Sequence, residues 1–433
     1  MPGVDALLAD PEPVPRLRRT AVLRSREFRL LFAGQAVSAL GDRLVIVALP
    51  FAVLSIPGAG LSGVGLVLGA SALSLGLFVL VGGVVADRLP RQLTMLASDA
   101  VRAAAQGLSA LLLLSGWATV PRLVLLQAVY GAAEAFFRPA LLGLVPQVVE
   151  PGEEQPANAL LAVTSTGAMV VGPAVAGILV ATSGPGATLA VDAGTFVVSA
   201  LSLLALRPRR APRPAGPVER FGSQLAGGWR EVRSRSWVWS VLLAFGAYHA
   251  LVLPALFVLG PQYAQAHRGG AAAWGVISAG FGLGAVAGSV LSLHWRPARP
   301  GLVIALALAA SCAQAYIGVS PLPTLAVAGL EAATGICVSL CFTVWETALQ
   351  ERIPEQAQSR VSSFDYLGSV VLMPAGYVLV GPLAHAIGDE STGVLASLAG
   401  LTVCLAVASG RGLRGLRRVV RGSGQGDQVG ERV

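Results

Sequence analysis

The stretch at residues 61–86 holds no Asp, Glu, Lys or Arg. A hydrocarbon core about 30 Å thick needs about 20 apolar residues in a helix, so this stretch is long enough to cross a bilayer. Another stretch, 28–56, has only Arg29, Asp42 and Arg43 as charged residues. The 433-residue chain is only 12% charged, whereas soluble domains average about 25%. The sequence therefore predicts a helical membrane protein.

Apolar runs of helical length recur twelve times. They lie at residues 28–56, 61–86, 93–115, 122–146, 158–182, 187–206, 237–263, 271–294, 300–319, 323–349, 361–387 and 391–410. An even number of crossings puts both termini on one side of the membrane. With Arg29 included, 26 arginines fall on the side of the termini, and only Arg122 and Arg268 fall in loops on the other. Cytoplasmic loops are enriched in positive residues, so we expect a multi-pass bacterial plasma-membrane protein with both termini cytoplasmic.

The longest polar connection follows the sixth span and divides the chain into six spans and six. Arg88 and Arg296, in similar short loops, are separated by 208 residues, and so are Pro146 and Pro354 in a second pair of loops. This common offset indicates an internal duplication, which is typical of transporters built from two parallel repeats. The predicted fold is all-α, with twelve transmembrane helices in two pseudo-symmetric six-helix bundles. Its predicted parts are an N-terminal arm (1–27), a first bundle (28–206), a central loop (207–236), a second bundle (237–410) and a basic tail (411–433).

Composition excludes several kinds of active site. The chain has no lysine, which excludes the phosphate-binding lysine of a Walker A loop and a Schiff-base lysine. No histidine lies near another, so the sequence lacks the zinc-binding pattern of an intramembrane protease, and no enzyme activity or metal site is expected. The pI near 10 is explained by basic loops facing anionic lipid, so no nucleic-acid partner is expected.

The segment "GGVVADRLPRQ" interrupts the apolar sequence between the second and third spans. It resembles the loop signature G-x-x-x-D-R-x-G-R-R of the major facilitator superfamily. Pro90 and Gln92 depart from that signature, since glycine and a second basic residue are usual there. The residues in register with it are Gly83, Asp87, Arg88 and Arg91.

Three further segments resemble the superfamily's drug:proton antiporter group, which includes macrolide-efflux and siderophore-export proteins. "GPAVAGILV" in the fifth span, with Gly172, Pro173 and Gly177, is similar to the antiporter motif and is expected to kink that helix. "RSREFRLLFAGQAVSALGDRLVIVALP" and "AFFRPALLGLVPQVVEPGEEQPANAL" are similar to the group's first span and the loop between its fourth and fifth spans. The resemblance covers residues 24–410.

This resemblance implies a proton-coupled secondary transporter that exports an amphipathic small molecule by alternating access. It implies a monomer in the lipid bilayer that is driven by the proton gradient and has neither a cofactor nor an ATP site. A siderophore or lysophospholipid carrier of the same fold remains an alternative, and so does a membrane sensor that binds its ligand without moving it.

Charged residues within spans are candidates for function, because each costs about 2.5–3.5 kcal/mol on insertion scales. Asp42, near the middle of the first span, is the first candidate for a proton-carrying carboxylate. A structural ion pair or hydrogen-bonded carboxylate is an equal alternative there. Glu331 is the second candidate, because no basic residue lies three or four positions from it. Glu134, the third, is expected to pair with Arg138 at i+4, and such a pair would still be able to bind substrate.

The loop charges are expected to fix topology and also to form a conformational latch between the two halves. Asp87 is expected to face the N-terminus of the eleventh span, where a helix dipole attracts an anion. Asp99 and Arg102 are three residues apart and are expected to share a face and extend the same network. The latch candidates are Gly83, Asp87, Arg88, Arg91, Asp99, Arg102, Arg360 and Asp365.

A large amphipathic ligand needs a pocket with apolar walls and a few polar groups. Packing against lipid is an equal alternative for the aromatic candidates, and a local polar contact beside Tyr248 is an alternative for the histidine. The substrate-cavity candidates are Arg138, Phe136, Phe137, Trp345, Tyr377 and His249.

Overall fold

The computed structural model describes residues 21–209, 229–354 and 371–410, with isolated positions between 361 and 416. For residues 80, 81 and 83–88 it describes the helix but not the side chains. Most of the N-terminal arm, the central loop and the tail lie outside the described residues.

Long helices make up almost all of the described chain, which contains no strand. They are α1 (Arg26–Leu54), α2 (Gly60–Arg88), α3 (Arg91–Leu114), α4 (Val120–Val148), α5 (Glu154–Leu204), α6 (Ser236–His267), α7 (Ala271–His294), α8 (Pro300–Val319), α9 (Thr324–Arg352), α10 (Met373–Ile387) and α11 (Asp389–Ser409).

Three of these helices are interrupted. α5 breaks at Gly184, whose φ of 81° and ψ of 165° are not helical, so α5 supplies two spans, a first arm (154–183) and a second arm (185–204). A π-helical turn, Tyr248–Val252, lies within α6, and a turn at Cys312 and Ala313 interrupts α8.

The twelve predicted apolar runs therefore correspond to eleven helices, with α5 counted twice. Nine stretches of the described chain are long and apolar enough to cross a membrane, and α5 is one of these. The eleventh predicted run, 361–387, is described as a helix only from Met373, after a turn at Val371 and Leu372.

α3 is unlike the other helices because its polar side faces the protein interior. Buried residues on this helix include Ser98, Asp99, Arg102 and Gln106, while Leu111 is 60% exposed toward the outside of the bundle. A helix whose buried side is polar is stable in a membrane only where neighbouring helices satisfy those buried polar groups.

The chain forms two halves, α1–α5 and α6–α11. In the first half α1 packs along α5, and α2 packs along α4; in the second half α7 packs along α9. The two halves meet along two helix pairs, α5 with α7 and α2 with α10. Small residues allow these close approaches: a Cβ at Gly275 would lie 2.6 Å from the Pro173 carbonyl oxygen, and one at Gly282 would lie 2.6 Å from that of Met169.

We call the end of the bundle where α1 begins and α11 ends the terminal side, and the other end the distal side. Close contacts between the halves lie in the distal part of the helices. Gly65 of α2 packs against the backbone of Tyr377 in α10, and Gly177 of α5 packs against Gly275 of α7. The two halves therefore touch toward the distal side.

Candidate functional site

A buried charge cluster lies in the first half, where α1, α3 and α4 meet. Arg102 donates to Asp99 Oδ1 at 2.5 Å and to Asp42 Oδ1 at 3.5 Å. Tyr130 also donates to Asp42 Oδ1, at 3.2 Å. Asp99 and Arg102 are 0% and 1% exposed, whereas the Asp42 side chain is 41% exposed. Asp42 is therefore the member of this cluster that water can reach.

Two aromatic rings hold the Arg102 guanidinium. Its central carbon lies 4.3 Å from the ring centre of Phe137 on α4 and 4.2 Å from that of Phe196 on the second arm of α5. A desolvated cation over an aromatic face gains about 2 kcal/mol or more. These rings and Asp99 fix the guanidinium beside Asp42.

Asp42 opens into a cavity of about 340 Å³ within the first half, which we call the terminal cavity. Its walls come from the terminal-side parts of α1, α4 and the first arm of α5, which places it on the terminal side. The lining residues are Gln35, Ser38, Ala39, Asp42, Arg102, Glu134, Phe137, Arg138, Leu141, Leu142, Leu161, Thr164 and Ser165.

The prediction of an ion pair between Glu134 and Arg138 is wrong for this structure. No contact of ion-pair length joins them among the described residues. Glu134 is half-buried and Arg138 is exposed, and both border the terminal cavity. Because both can be hydrated there, neither needs the other as a partner.

A second polar cluster lies in the other half, on α6, α8 and α9. Glu331 Oε2 accepts hydrogen bonds from Gln314 Nε2 at 2.7 Å and from Thr334 Oγ1 at 3.1 Å. Tyr248 in turn donates to Gln314 Oε1. Glu331 is only 2% exposed, and its Oε1 has no hydrogen-bond partner among the described residues.

Glu331 lines a second cavity, the central cavity, between the two halves. Its volume is about 120 Å³ and its walls are mostly apolar. The lining residues are Arg43, Ile46, Met169 and Pro173 from the first half and Leu253, Leu256, Phe257, Trp274, Ile277, Ser278, Phe281, Gln314 and Glu331 from the second.

A family model described as Major Facilitator Superfamily matches residues 31–372. The chain belongs to the Major Facilitator Superfamily. It is 29% identical over 389 residues to the multidrug efflux pump Tap of Mycobacterium tuberculosis, covering 85% of this chain and 89% of that protein. It is 28% identical over 366 residues to the enterobactin exporter EntS of Shigella boydii, covering 82% and 85%.

The fold agrees with that membership. The crystal structure of the nucleoside transporter NupG superposes with a TM-score of 0.66 at 12% identity, covering 88% of this chain and 98% of that one. The protein is therefore a multi-pass membrane transporter of the superfamily, and its cavities are candidate transport sites.

Two of the six predicted substrate-cavity residues, Phe137 and Arg138, line the terminal cavity of this superfamily member. Phe136 lies on the same helix turn, with its ring centre 6.3 Å from that of Phe78 on α2.

The other three candidates pack within the protein. Trp345 is 0% exposed, with its ring edge against Trp237. Tyr377 is 5% exposed and packs where α10 meets α2. His249 Nδ1 lies 2.8 Å from the Phe245 carbonyl oxygen, in agreement with the alternative of a local polar contact.

The superfamily's loop signature is only partly visible. Arg91 donates to the Gly143 carbonyl oxygen on α4 at 2.5 Å. Gly83, Asp87 and Arg88 lie in α2, but the structure describes only the helix there and not the side chains. Arg360 and Asp365 lie outside the described residues. Asp99 and Arg102 share a face and pair, as expected, but their further partner is Asp42. The latch between the halves stays a prediction.

The residues of the antiporter-like motif fill positions where helices come close. A Cβ at Gly172 would overlap the Cβ of Arg43 on α1, and one at Gly177 would lie 2.8 Å from the Ala271 carbonyl oxygen on α7. Pro173 lines the central cavity. Gly184 is the residue of α5 with non-helical dihedral angles, so the kink expected at Pro173 stays a prediction.

Sequence reasoning missed Asp192, on the second arm of α5. This residue is 0% exposed, and Gln106 of α3 lies near its carboxyl group. Its Oδ1 lies against Gly41 of α1. The signal was present, because Asp192 is the one charged residue of the sixth apolar run. Tyr130 and Gln314 were also missed, and a single polar residue in an apolar run carries no comparable signal.

Proposed function

We propose that this transporter exports an amphipathic small molecule from a bacterial cell in exchange for protons. Similarity to a multidrug efflux pump and to an enterobactin exporter supports export. The excess of arginines on the terminal side supports a cytoplasmic location of both termini. The terminal cavity then faces the cytoplasm, from which an exporter takes its substrate.

The observation that carries proton coupling is the shared guanidinium of Arg102. Asp42 and Asp99 both pair with it, so these three residues bring two carboxylates and one cation together within the membrane. Uncompensated charge there is costly, and one bound proton makes the cluster neutral. Because Asp42 is the accessible carboxylate, we assign the proton to Asp42, with Glu331 and Glu134 as the second and third candidates.

Alternating access follows if protonation of Asp42 changes how the halves meet. A proton on Asp42 weakens its bond to Arg102, and the guanidinium then pairs with Asp99 alone. Asp42 lies on α1, which packs along α5, and the first arm of α5 forms one of the two contacts between the halves. Asp42 is thus on the helix next to the one that forms the contact that has to open, and differential proton affinity of the two states would drive the cycle.

The test is the accumulation of ethidium, an amphipathic cation, in cells with and without the protein, before and after a protonophore collapses the proton gradient. We expect cells with the protein to accumulate less ethidium than cells without it. The protonophore should remove this difference, and so should Asp42→Asn. Glu150→Gln is the matched control and should keep full activity. It neutralises an exposed carboxylate that pairs with Arg209. Gradient-independent export would refute proton coupling, and an active Asp42→Asn variant would refute the assignment of the proton to Asp42.

A siderophore is the second candidate substrate, and the similarity to EntS favours it. The same cells, grown without iron, would then release a catecholate siderophore faster with the protein than without it. Unchanged release would exclude this candidate.

A further inference from the structure

Asp192 lies inside the first half and lines neither the terminal cavity nor the central cavity. It is 0% exposed. Its Oδ1 lies 2.6 Å from the position that a Cβ would take at Gly41, so the carboxyl group packs against the α1 backbone one residue before Asp42. An ionised carboxylate buried in this way is costly unless a cation compensates it.

The hydrogen-bonding groups around Asp192 are neutral. Gln106 Oε1 accepts a hydrogen bond from Gln127 Nε2 at 2.9 Å, which leaves the Gln106 amide nitrogen for the Asp192 carboxyl group. Thr195 Oγ1 donates to the Asp192 backbone carbonyl oxygen. Asp192 forms no ion pair with any residue that the structure describes. Its carboxyl group therefore has a polar neighbour but no cation of its own.

The charges on neighbouring helices do not supply the missing compensation. Asp42 and Arg102 both act on Asp192 electrostatically, and the like charge of Asp42 has the larger effect. The Arg102 guanidinium is already paired with Asp99 at 2.5 Å and with Asp42 at 3.5 Å. Its single positive charge is thus shared by two carboxylates before Asp192 is considered.

A count of charges leads to the same carboxyl group. The charged side chains in the membrane-embedded middle of α1, α3, α4 and the second arm of α5 are Asp42, Asp99, Glu134, Asp192, Arg43, Arg102 and Arg138. If all seven are ionised, they carry one net negative charge. Glu134 and Arg138 border the terminal cavity and cancel each other, so the excess lies among the other five. One proton makes that set neutral, and Asp192 is its least compensated carboxyl group.

We propose that Asp192 is a second proton-binding residue of the transport cycle and that it holds the coupling proton in the state shown by this structure. Asp42 is ionised in this state, because it pairs with Arg102 and accepts a hydrogen bond from Tyr130. This inference rests on the proposed proton coupling and deepens it by naming the residue that holds the proton before Asp42 does.

The transfer conserves charge within the first half. The O–H bond at Asp192 breaks and one forms at Asp42, so that Asp192 becomes the carboxylate and Asp42 the acid. Arg102, released from Asp42, is then the cation that compensates Asp192. Asp42 opens into the terminal cavity, and the proton leaves through that cavity.

The experiment is infrared spectroscopy of the purified full-length protein in lipid. The C=O stretch of a protonated carboxyl group absorbs at a higher frequency than the backbone amides or an ionised carboxylate, so it is resolved from both. We expect such a band at neutral pH and its loss in Asp192→Asn. Glu331→Gln removes a buried carboxyl group of the other half, and Glu150→Gln removes an exposed one. Both controls should leave the Asp192 band in place.

Two further variants assign the band even if Asp192→Asn does not fold. Gln106→Met has a similar volume but no N–H, and it should shift the band to higher frequency, because a hydrogen bond to a carbonyl group lowers its stretching frequency. Asp42→Asn removes a like charge, so the band should disappear about one pH unit lower than in the wild type. A purely structural Asp192 would give neither shift. Size-exclusion profiles check the folding of each variant.

Three results would each overturn the inference. They are a band that survives Asp192→Asn, a band that is unshifted in both Gln106→Met and Asp42→Asn, and the absence of any protonated carboxyl group at neutral pH. Asp192→Asn should also lose gradient-driven ethidium export, and full export by that variant would count equally against a proton on Asp192.

The infrared measurement needs no proton gradient, which separates this inference from the proposed function. An assigned Asp192 band together with gradient-independent export would refute only the proposed function. Gradient-driven export without that band would refute only the proton on Asp192.

Discussion

Removal of the Arg102 guanidinium tests whether the charge cluster is organised as the structure indicates. Arg102→Leu keeps an apolar side chain between Phe137 and Phe196 but leaves Asp99, which is 0% exposed, without its cation. Breaking a buried pair by removing one partner costs about 3–5 kcal/mol. Loss of the two ring contacts adds about 1 kcal/mol or more. We expect Arg102→Leu to lower the free energy of unfolding by about 4–6 kcal/mol.

A second substitution separates the charge from the packing. Asp99→Asn in the Arg102→Leu background replaces the unpaired carboxylate with a neutral amide, which costs only about 1–3 kcal/mol if unsatisfied. The double variant should therefore regain about 2 kcal/mol or more. Arg102→Lys keeps the charge but loses the fork that reaches both Asp99 and Asp42, and its stability should lie between that of the wild type and Arg102→Leu.

The assay is reversible unfolding in mixed micelles, followed by tryptophan fluorescence as the fraction of denaturing detergent rises. Arg209→Leu is the control, because Arg209 forms an exposed ion pair with Glu150. It should change the free energy of unfolding by less than about 1 kcal/mol, as is usual for surface pairs. A cost below about 1 kcal/mol for Arg102→Leu, or no recovery in the double variant, would refute the view that Arg102 compensates buried charge.

Two glycine pairs give further predictions for the same unfolding assay. Gly284→Ala should destabilise the protein by about 1–3 kcal/mol, because the added Cβ would overlap the α9 backbone. Gly329→Ala places its Cβ in open space and should have little effect. Equal effects of the two substitutions would show that α7 and α9 do not pack closely. Gly184→Ala should cost about 1–3 kcal/mol, because a φ of 81° with an extended ψ is a region open essentially to glycine, whereas Gly194→Ala in the same helix should be neutral. A neutral Gly184→Ala would mean that α5 does not break there.

The helices and their number could be predicted from the sequence, because each helix depends on residues that are close together in the chain. An apolar run of about 20 residues forms a helix in a bilayer whatever it packs against, since its backbone groups have no other partners there. The same reasoning identified Asp42 and Glu331 as unusual, because the cost of a charge in the membrane does not depend on its partner. Equally local patterns around Arg91 and Gly172 supported the superfamily assignment.

The partners of those charges depend on the tertiary structure. Arg102 lies 60 residues from Asp42 in sequence, and Tyr130 lies 88 residues from it, yet all three meet at one carboxyl oxygen. Glu134 and Arg138 have the spacing of a helical ion pair but border a cavity, where water competes for both.

The sequence by itself determined the helical membrane fold, its division into two halves and which buried charges need an explanation. Only the tertiary structure decided that Asp42 and Asp99 share one guanidinium, and that Arg43 and Glu331 face one cavity from opposite halves. The physical reason is that helix formation is a local property of the chain. Charge compensation instead depends on which side chains the packing of distant helices brings within a few ångströms.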